Sequence, residues 1–322
     1  MPGIIQFAEA IKATDGDDRA LLIGNGFSAK YFSYQSLLEE SGLDEGTPLR
    51  NLFTALNTAD FEEVVRALEA AVVVEKAYGN EGHAKELDDH AQNVREALVQ
   101  AINNTHPKHR EELTPQYTSS AAFLANFSTV FTLNYDLLLY WVNLEKRILK
   151  DGFGLGVSNG NFIGPFSEGA YCHLFNLHGG LHLFDNGAGE IIKAVDTGSG
   201  VISTITNTIE NRHRFPIYVA EGTSAHKMRK INSVRYLRHC YEALCDNAAI
   251  IFVYGHSADD NDAHVYRAIF ASKAKHIYFG VHKSTTEKIR ELDGRLSKYQ
   301  KTSGSQIGYT FFESESASVW GD

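Results

Sequence analysis

Five short apolar runs, each halted by a glycine or a polar cluster, constrain this chain more than any other feature. They span residues 20–23 before Gly24, 129–133 before Asn134, 173–177 before His178, 216–219 before Glu221-Gly222-Thr223, and 249–254 before Gly255. Runs this short, rich in β-branched and aromatic residues, read as strands buried on both faces, as in a parallel sheet. Residues 276–281 and 307–312 could complete the sheet. The expected fold is α/β, a Rossmann-like parallel sheet flanked by helices, and the residues just after each run are the first places to look for a site.

Residues 36–125 contain no convincing strand, and their apolar spacing is closer to 3.6 than to 2. Phe61, Val64, Val65, Leu68 and Val72 can share one helix face, with Glu62, Glu63, Arg66 and Glu69 pointing elsewhere. A more polar helix is expected over 85–103, and Ser119 and Ser120 are candidate caps for the helix entering the next strand. The expected organisation is a Rossmann-like domain of residues 1–35 and 126–322, interrupted by a helical insertion over 36–125. Glycines at 152, 154, 156, 160, 164 and 169 call for tight turns. Asp185-Asn186-Gly187 signals a hairpin, because Asn and Gly accept positive φ cheaply. The Val72-Val73-Val74 run either faces an interface, in a homo-oligomer, or is buried within the monomer.

With 43% hydrophobic and 22% charged residues, the chain has the composition of an ordinary globular protein. A formal charge of −10 argues against nonspecific binding to phosphate backbones, so nucleic acid is not the first partner to consider. Arg229, Lys230, Arg235 and Arg238 form a locally basic stretch, which reads first as a solvated helix face. The first residues lack the pattern of a signal peptide, and no apolar run approaches the ~20 residues of a membrane span. A cytoplasmic location is the default expectation, with no membrane partner. Cys172, Cys240 and Cys245 include no C-x-x-C pair, so neither a disulfide framework nor a four-cysteine zinc site is expected, and no metal is predicted.

The strand-end clusters carry the chemistry. Gly24-Asn25-Gly26-Phe27-Ser28 could bring backbone N–H groups to a diphosphate, or could be a tight turn without a ligand. It lacks the third glycine of the dehydrogenase fingerprint, which disfavours hydride transfer. Thr132-Leu133-Asn134-Tyr135-Asp136 puts an amide and a carboxylate two residues apart; the alternative is that they cap the next helix. Leu177-His178-Gly179-Gly180 offers an imidazole that can act as acid or base near neutral pH. In Gly255-His256-Ser257-Ala258-Asp259-Asp260, Ser257 suits a phosphate oxygen and Asp260 a ribose hydroxyl, unless the acids only start a solvated helix.

In this order, the four clusters resemble the SIR2-like superfamily, whose pattern is a glycine-rich loop ending in serine, then T-x-N-Y-D, L-H-G and G-x-S-x-x-D. The resemblance spans about residues 20–282 and is nearest to zinc-free bacterial members of the antiphage, NAD-cleaving type. The Glu221-Gly222-Thr223 turn with Lys227 also looks like a family element. The resemblance implies NAD as substrate, with Asn134, His178 and Asp136 as catalytic positions. It places Gly24, Asn25, Gly26, Phe27, Ser28, Thr132, Gly255, Ser257 and Asp260 at the nucleotide. Lacking a four-cysteine zinc ribbon, the chain departs from the protein deacylases. The implied activity is hydrolysis of NAD to nicotinamide and ADP-ribose, as the effector of a defence system with a partner protein. The alternatives are a sensor or regulatory subunit that binds NAD or ADP-ribose without turnover, and a nucleic-acid-processing subunit.

Overall fold

Six of the seven apolar runs enter one parallel sheet. The computed structural model describes residues 3–32, 37–107, 109–154, 160–196, 200–220 and 222–321. Its strands are β1 (Ile4–Ile5), β2 (Arg19–Ile23), β3 (Thr129–Thr132), β4 (Phe162–Ile163), β5 (Leu174–Asn176), β6 (Gly179–Asp185), β7 (Ile191–Ala194), β8 (Pro216–Tyr218), β9 (Ile250–Tyr254), β10 (His276–Val281) and β11 (Gly308–Glu313). The seven-stranded sheet has the order β1-β11-β10-β9-β2-β3-β5, and every neighbouring pair in it is parallel.

Successive strand residues point to opposite faces, and here both faces are buried. In β2, Leu21 and Ile23 join one core while Ala20 and Leu22 join the other; in β9, Ile250 and Phe252 are divided in the same way from Ile251 and Val253. This is why the runs are continuously apolar rather than alternating. From β2 the chain proceeds outward to β3 and β5, whereas from β9 it proceeds the opposite way to β10 and β11. The change of direction falls between β9 and β2, and open α/β sheets bind ligands outside the carboxyl ends of strands at such a switch point.

Between β2 and β3 the described chain is helical. The helix Phe61–Ala77 buries Phe61, Val64, Val65, Leu68 and Val72, the face expected from their spacing. Each such burial is worth roughly 1.5–3 kcal/mol relative to exposure. The helix Glu81–Thr105 packs against it and outruns the expected span at both ends. In the valine run Val72 is buried, whereas Val73 and Val74 are 68% and 53% exposed.

Two expectations are corrected. The run at 216–219 does not join the parallel sheet, because β8 pairs antiparallel with β6 in a second sheet of order β4-β7-β6-β8. A three-residue strand starting at a proline is too short for the buried run to reveal which sheet takes it. Ser119 and Ser120 are not caps, since a 3₁₀ turn at Arg110–Gln116 runs straight into the helix Tyr117–Leu124, and Ser120 lies inside it donating to the Val319 carbonyl at 2.8 Å. Gly156 and Glu221 lie outside the described residues. The hairpin forms as expected, β6 pairing antiparallel with β7 around Asp185-Asn186-Gly187.

Candidate active site at the carboxyl edge of the parallel sheet

The four clusters follow β2, β3, β5 and β9, which are neighbours in the sheet, so all four emerge on one edge. The loops after β2 and β9 are packed together. Gly26 N–H donates to the Gly255 carbonyl at 2.7 Å, and a Cβ on Gly26 would lie 2.6 Å from the Gly255 Cα. Gly255 itself has φ +71°, which favours glycine. Close loop packing therefore accounts for these glycines before any ligand is considered. The amides of Gly24, Gly26, Phe27 and Ser28 all donate to carbonyls within the two loops and the end of β9, so they do not form an open anion cradle.

A cavity of about 280 Å³ lies at this edge, lined by Asn25, Tyr135, His178, Lys227, His256 and Asp262 among others; Gly255 and Ser257 also reach it. Of the residues singled out in the sequence, Asn25, His178, Gly255 and Ser257 thus meet at one place. The rest do not. Phe27 is a core side chain against Trp320, with ring centroids 5.1 Å apart. Thr132 Oγ1 accepts the Asn134 N–H at 3.0 Å, and the Asn134 side-chain amide donates to the buried Ser28 hydroxyl at 3.1 Å. Asn134 therefore braces the β2 loop from beneath, and its Oδ1 is buried without a hydrogen-bond partner among the described residues. Asp136, just before the N-cap Leu137, accepts at Oδ1 the Leu138 N–H at 2.8 Å, the first N–H of the helix Leu138–Lys146. Asp260 faces solvent and pairs with Lys298 at 2.9 Å.

The charged centre of the cavity is Asp262, which the sequence reading did not single out. Its Oδ1 accepts from Lys227 Nζ at 2.7 Å, and its Oδ2 lies 3.2 Å from His256 Nε2. His256 Nδ1 faces the Tyr266 hydroxyl at 2.8 Å and accepts the Ala258 N–H at 2.9 Å, which leaves Nε2 as its proton-bearing nitrogen. Burial alone would raise the Asp262 pKa, but the His256 hydrogen bond and the positive charge of Lys227 hold its carboxyl far below the usual carboxylate range. His178 is buried, with Nε2 3.1 Å from His264 Nε2. Burial pushes the pKa of His178 well down, and that of His264 to about 4, so both rings are neutral at pH 7. Lys227 was noted in the sequence only through the family resemblance. His264 carried no signal beyond standing two residues after Asp262, and His256 was only one histidine among 14.

A second cleft, of about 880 Å³, shares Val219, Ala220 and Lys227 with the cavity and runs toward the helix Phe61–Ala77. Among the described residues, no helix is long and apolar enough to cross a membrane.

Fold and site together define an α/β protein with a Rossmann-like parallel sheet and a polar cavity at its switch point. The chain belongs to the family described as a domain of unknown function (DUF4917), whose model matches residues 21–320. A search of curated proteins finds no match. Among solved structures, the chain is similar to one described as a Sir2 homolog–NAD complex, with a TM-score of 0.33 and 12% sequence identity, over 94% of this chain and 97% of that one.

Proposed function

We propose that the protein binds NAD at the carboxyl edge of the sheet and hydrolyses it to nicotinamide and ADP-ribose. The observation that carries this reading is the meeting of Asn25, His178, Gly255 and Ser257, from three different strand ends, around one cavity. The ordered motifs shared with the SIR2-like superfamily supply the ligand. A cavity of about 280 Å³ is small for a whole dinucleotide, since sites for drug-sized ligands run to roughly 300–1,000 Å³. One end of NAD would enter it while the rest extends into the adjoining cleft beside Lys227.

In hydrolysis, water adds to the ribose carbon as its bond to nicotinamide breaks, the pyridinium leaves as neutral nicotinamide, and one proton must be taken up. His178 is the acceptor in this reading: it is neutral at pH 7 and it lines the cavity. Lys227 and Ser257, which line the cavity, would meet a phosphate in this reading. Asn134 acts as a positioning residue, through Ser28 and the loop that carries Asn25. The role of Asp136 is to start the helix below. The family resemblance extends the reading to a cytoplasmic effector of bacterial antiphage defence working with a partner protein. The test is product analysis of protein incubated with NAD. Nicotinamide and ADP-ribose from the wild type but not from His178→Ala support the hydrolase, and saturable binding without product would make the protein a sensor.

A further inference from the structure

His178, Asp262 and His264 come from two parts of the chain that the sequence does not connect, yet each offers a ligand atom within 4.8 Å of the other two. The two Nε2 atoms face each other at 3.1 Å, and Asp262 Oδ1 lies 3.8 Å from His178 Nε2. A tetrahedral zinc ion with bonds of about 2.0–2.2 Å holds its ligand atoms roughly 3.3–3.5 Å apart, so small side-chain rotations complete the geometry.

The surroundings are those of a metal site. His264 Nδ1 lies 3.1 Å from the Ser224 hydroxyl, and that hydroxyl also accepts the His264 N–H at 3.0 Å. Asp262 is oriented by His256, which Tyr266 and Ala258 hold in turn. Outer partners of this kind fix the ring orientation and tautomer of metal-binding histidines. Both His178 and Asp262 line the cavity, which provides an open coordination position. Two imidazoles and one carboxylate suit zinc and its neighbours rather than magnesium or calcium.

We propose that His178, Asp262 and His264 bind a zinc-type divalent cation, in competition with the ammonium of Lys227. Lys227 Nζ sits 2.7 Å from the carboxylate oxygen that would face the metal, so the ion must displace it. A metal on Nε2 of His178 keeps the ring proton on Nδ1 and removes that nitrogen as a proton acceptor. Metal uptake would thereby inhibit NAD hydrolysis, a consequence that rests on the hydrolase reading; the binding itself does not.

The test is titration of tag-free, metal-stripped protein with Co²⁺, following the visible absorption of tetrahedral cobalt and its displacement by Zn²⁺. One equivalent is expected, lost in His264→Gln and Asp262→Asn. Removing the competing ammonium in Lys227→Gln should tighten binding about tenfold or more, a gain that misfolding cannot imitate. No tetrahedral cobalt spectrum in the wild type would overturn the proposal, as would a Lys227→Gln variant that binds no tighter. Because the readout is spectroscopic, its failure is distinct from a failure to hydrolyse NAD.

Discussion

The ends of β3 and β9 resemble each other in sequence, each a buried strand followed at once by polar and acidic residues, but the fold uses them in opposite ways. After β3, Asn134 braces the β2 loop through Ser28, and Asp136 accepts the first N–H of a helix whose Leu138, Leu139, Tyr140, Trp141 and Val142 are all buried. A helix start enclosed in this way must have its free N–H groups satisfied from within the protein, and that need takes the carboxylate. After β9, the chain makes a 3₁₀ turn at Asp260–Asp262 before the helix Ala263–Ala271. The turn sends Asp260 outward to Lys298 and Asp262 inward to Lys227 and His256. Residue type and spacing therefore locate a strand-end loop, while the demands of the following helix decide whether its acids face a ligand.

This contrast can be broken at several points. The largest effect is expected from Asp262→Ala, which leaves Lys227, with a side chain only 12% exposed, without its carboxylate. A loss of about 3–5 kcal/mol in urea-unfolding free energy is expected, the cost of stranding one partner of a buried pair; a loss no larger than that of a surface substitution would mean that Lys227 readily finds another partner.

The β3 side should show itself in the pH dependence of stability. The His182 ring packs tilted against Tyr140 of the helix Leu138–Lys146, with centroids 4.8 Å apart, and burial, helped by Lys193, pushes its pKa down to about 3. Its folded pKa lies below the unfolded value of about 6.5, so the unfolded state binds the proton first. The stability it contributes is complete above about pH 6.5 and is lost as pH falls toward 3, by up to about 1.4 kcal/mol per pH unit for this one proton. His182→Phe should flatten that slope in denaturation curves taken between pH 7 and 4, and an unchanged slope would place the acid sensitivity elsewhere.

Smaller effects follow from the acids themselves. Asp136→Ala should cost about 1–2 kcal/mol in a thermal melt, the worth of a lost hydrogen bond at a helix start, and should leave the cavity residues in place. Asp260→Asn should change stability by no more than about 0.5 kcal/mol, because its pair with Lys298 is exposed. A marked effect of Asp260→Asn on NAD binding would restore that residue to the site.

The parallel sheet was legible because strands buried on both faces leave continuous apolar runs, and the turn of Asp185-Asn186-Gly187 carries its own chemistry. The helix face from Phe61 to Val72 was legible from its period. The destination of residues 216–219 was not, because strand pairing depends on partners remote in sequence. The site was half legible. Asn25, His178, Gly255 and Ser257 lie where the strand ends pointed, whereas the inward role of Asp262 depends on the turn that rotates it away from Asp260, and His264 is brought to His178 only by the packing of the next helix.

The proposed cleavage of NAD in the cavity between the β2, β5 and β9 loops has His178 take the proton. The direct measurement is chromatographic analysis of NAD incubated with purified protein, beside His178→Ala and alone as well as with any genetically adjacent partner. Stoichiometric nicotinamide and ADP-ribose from the wild type, reduced at least about a hundredfold in a folded His178→Ala, is the predicted result. Turnover unaffected by His178→Ala, or no binding of NAD under either condition, would contradict it.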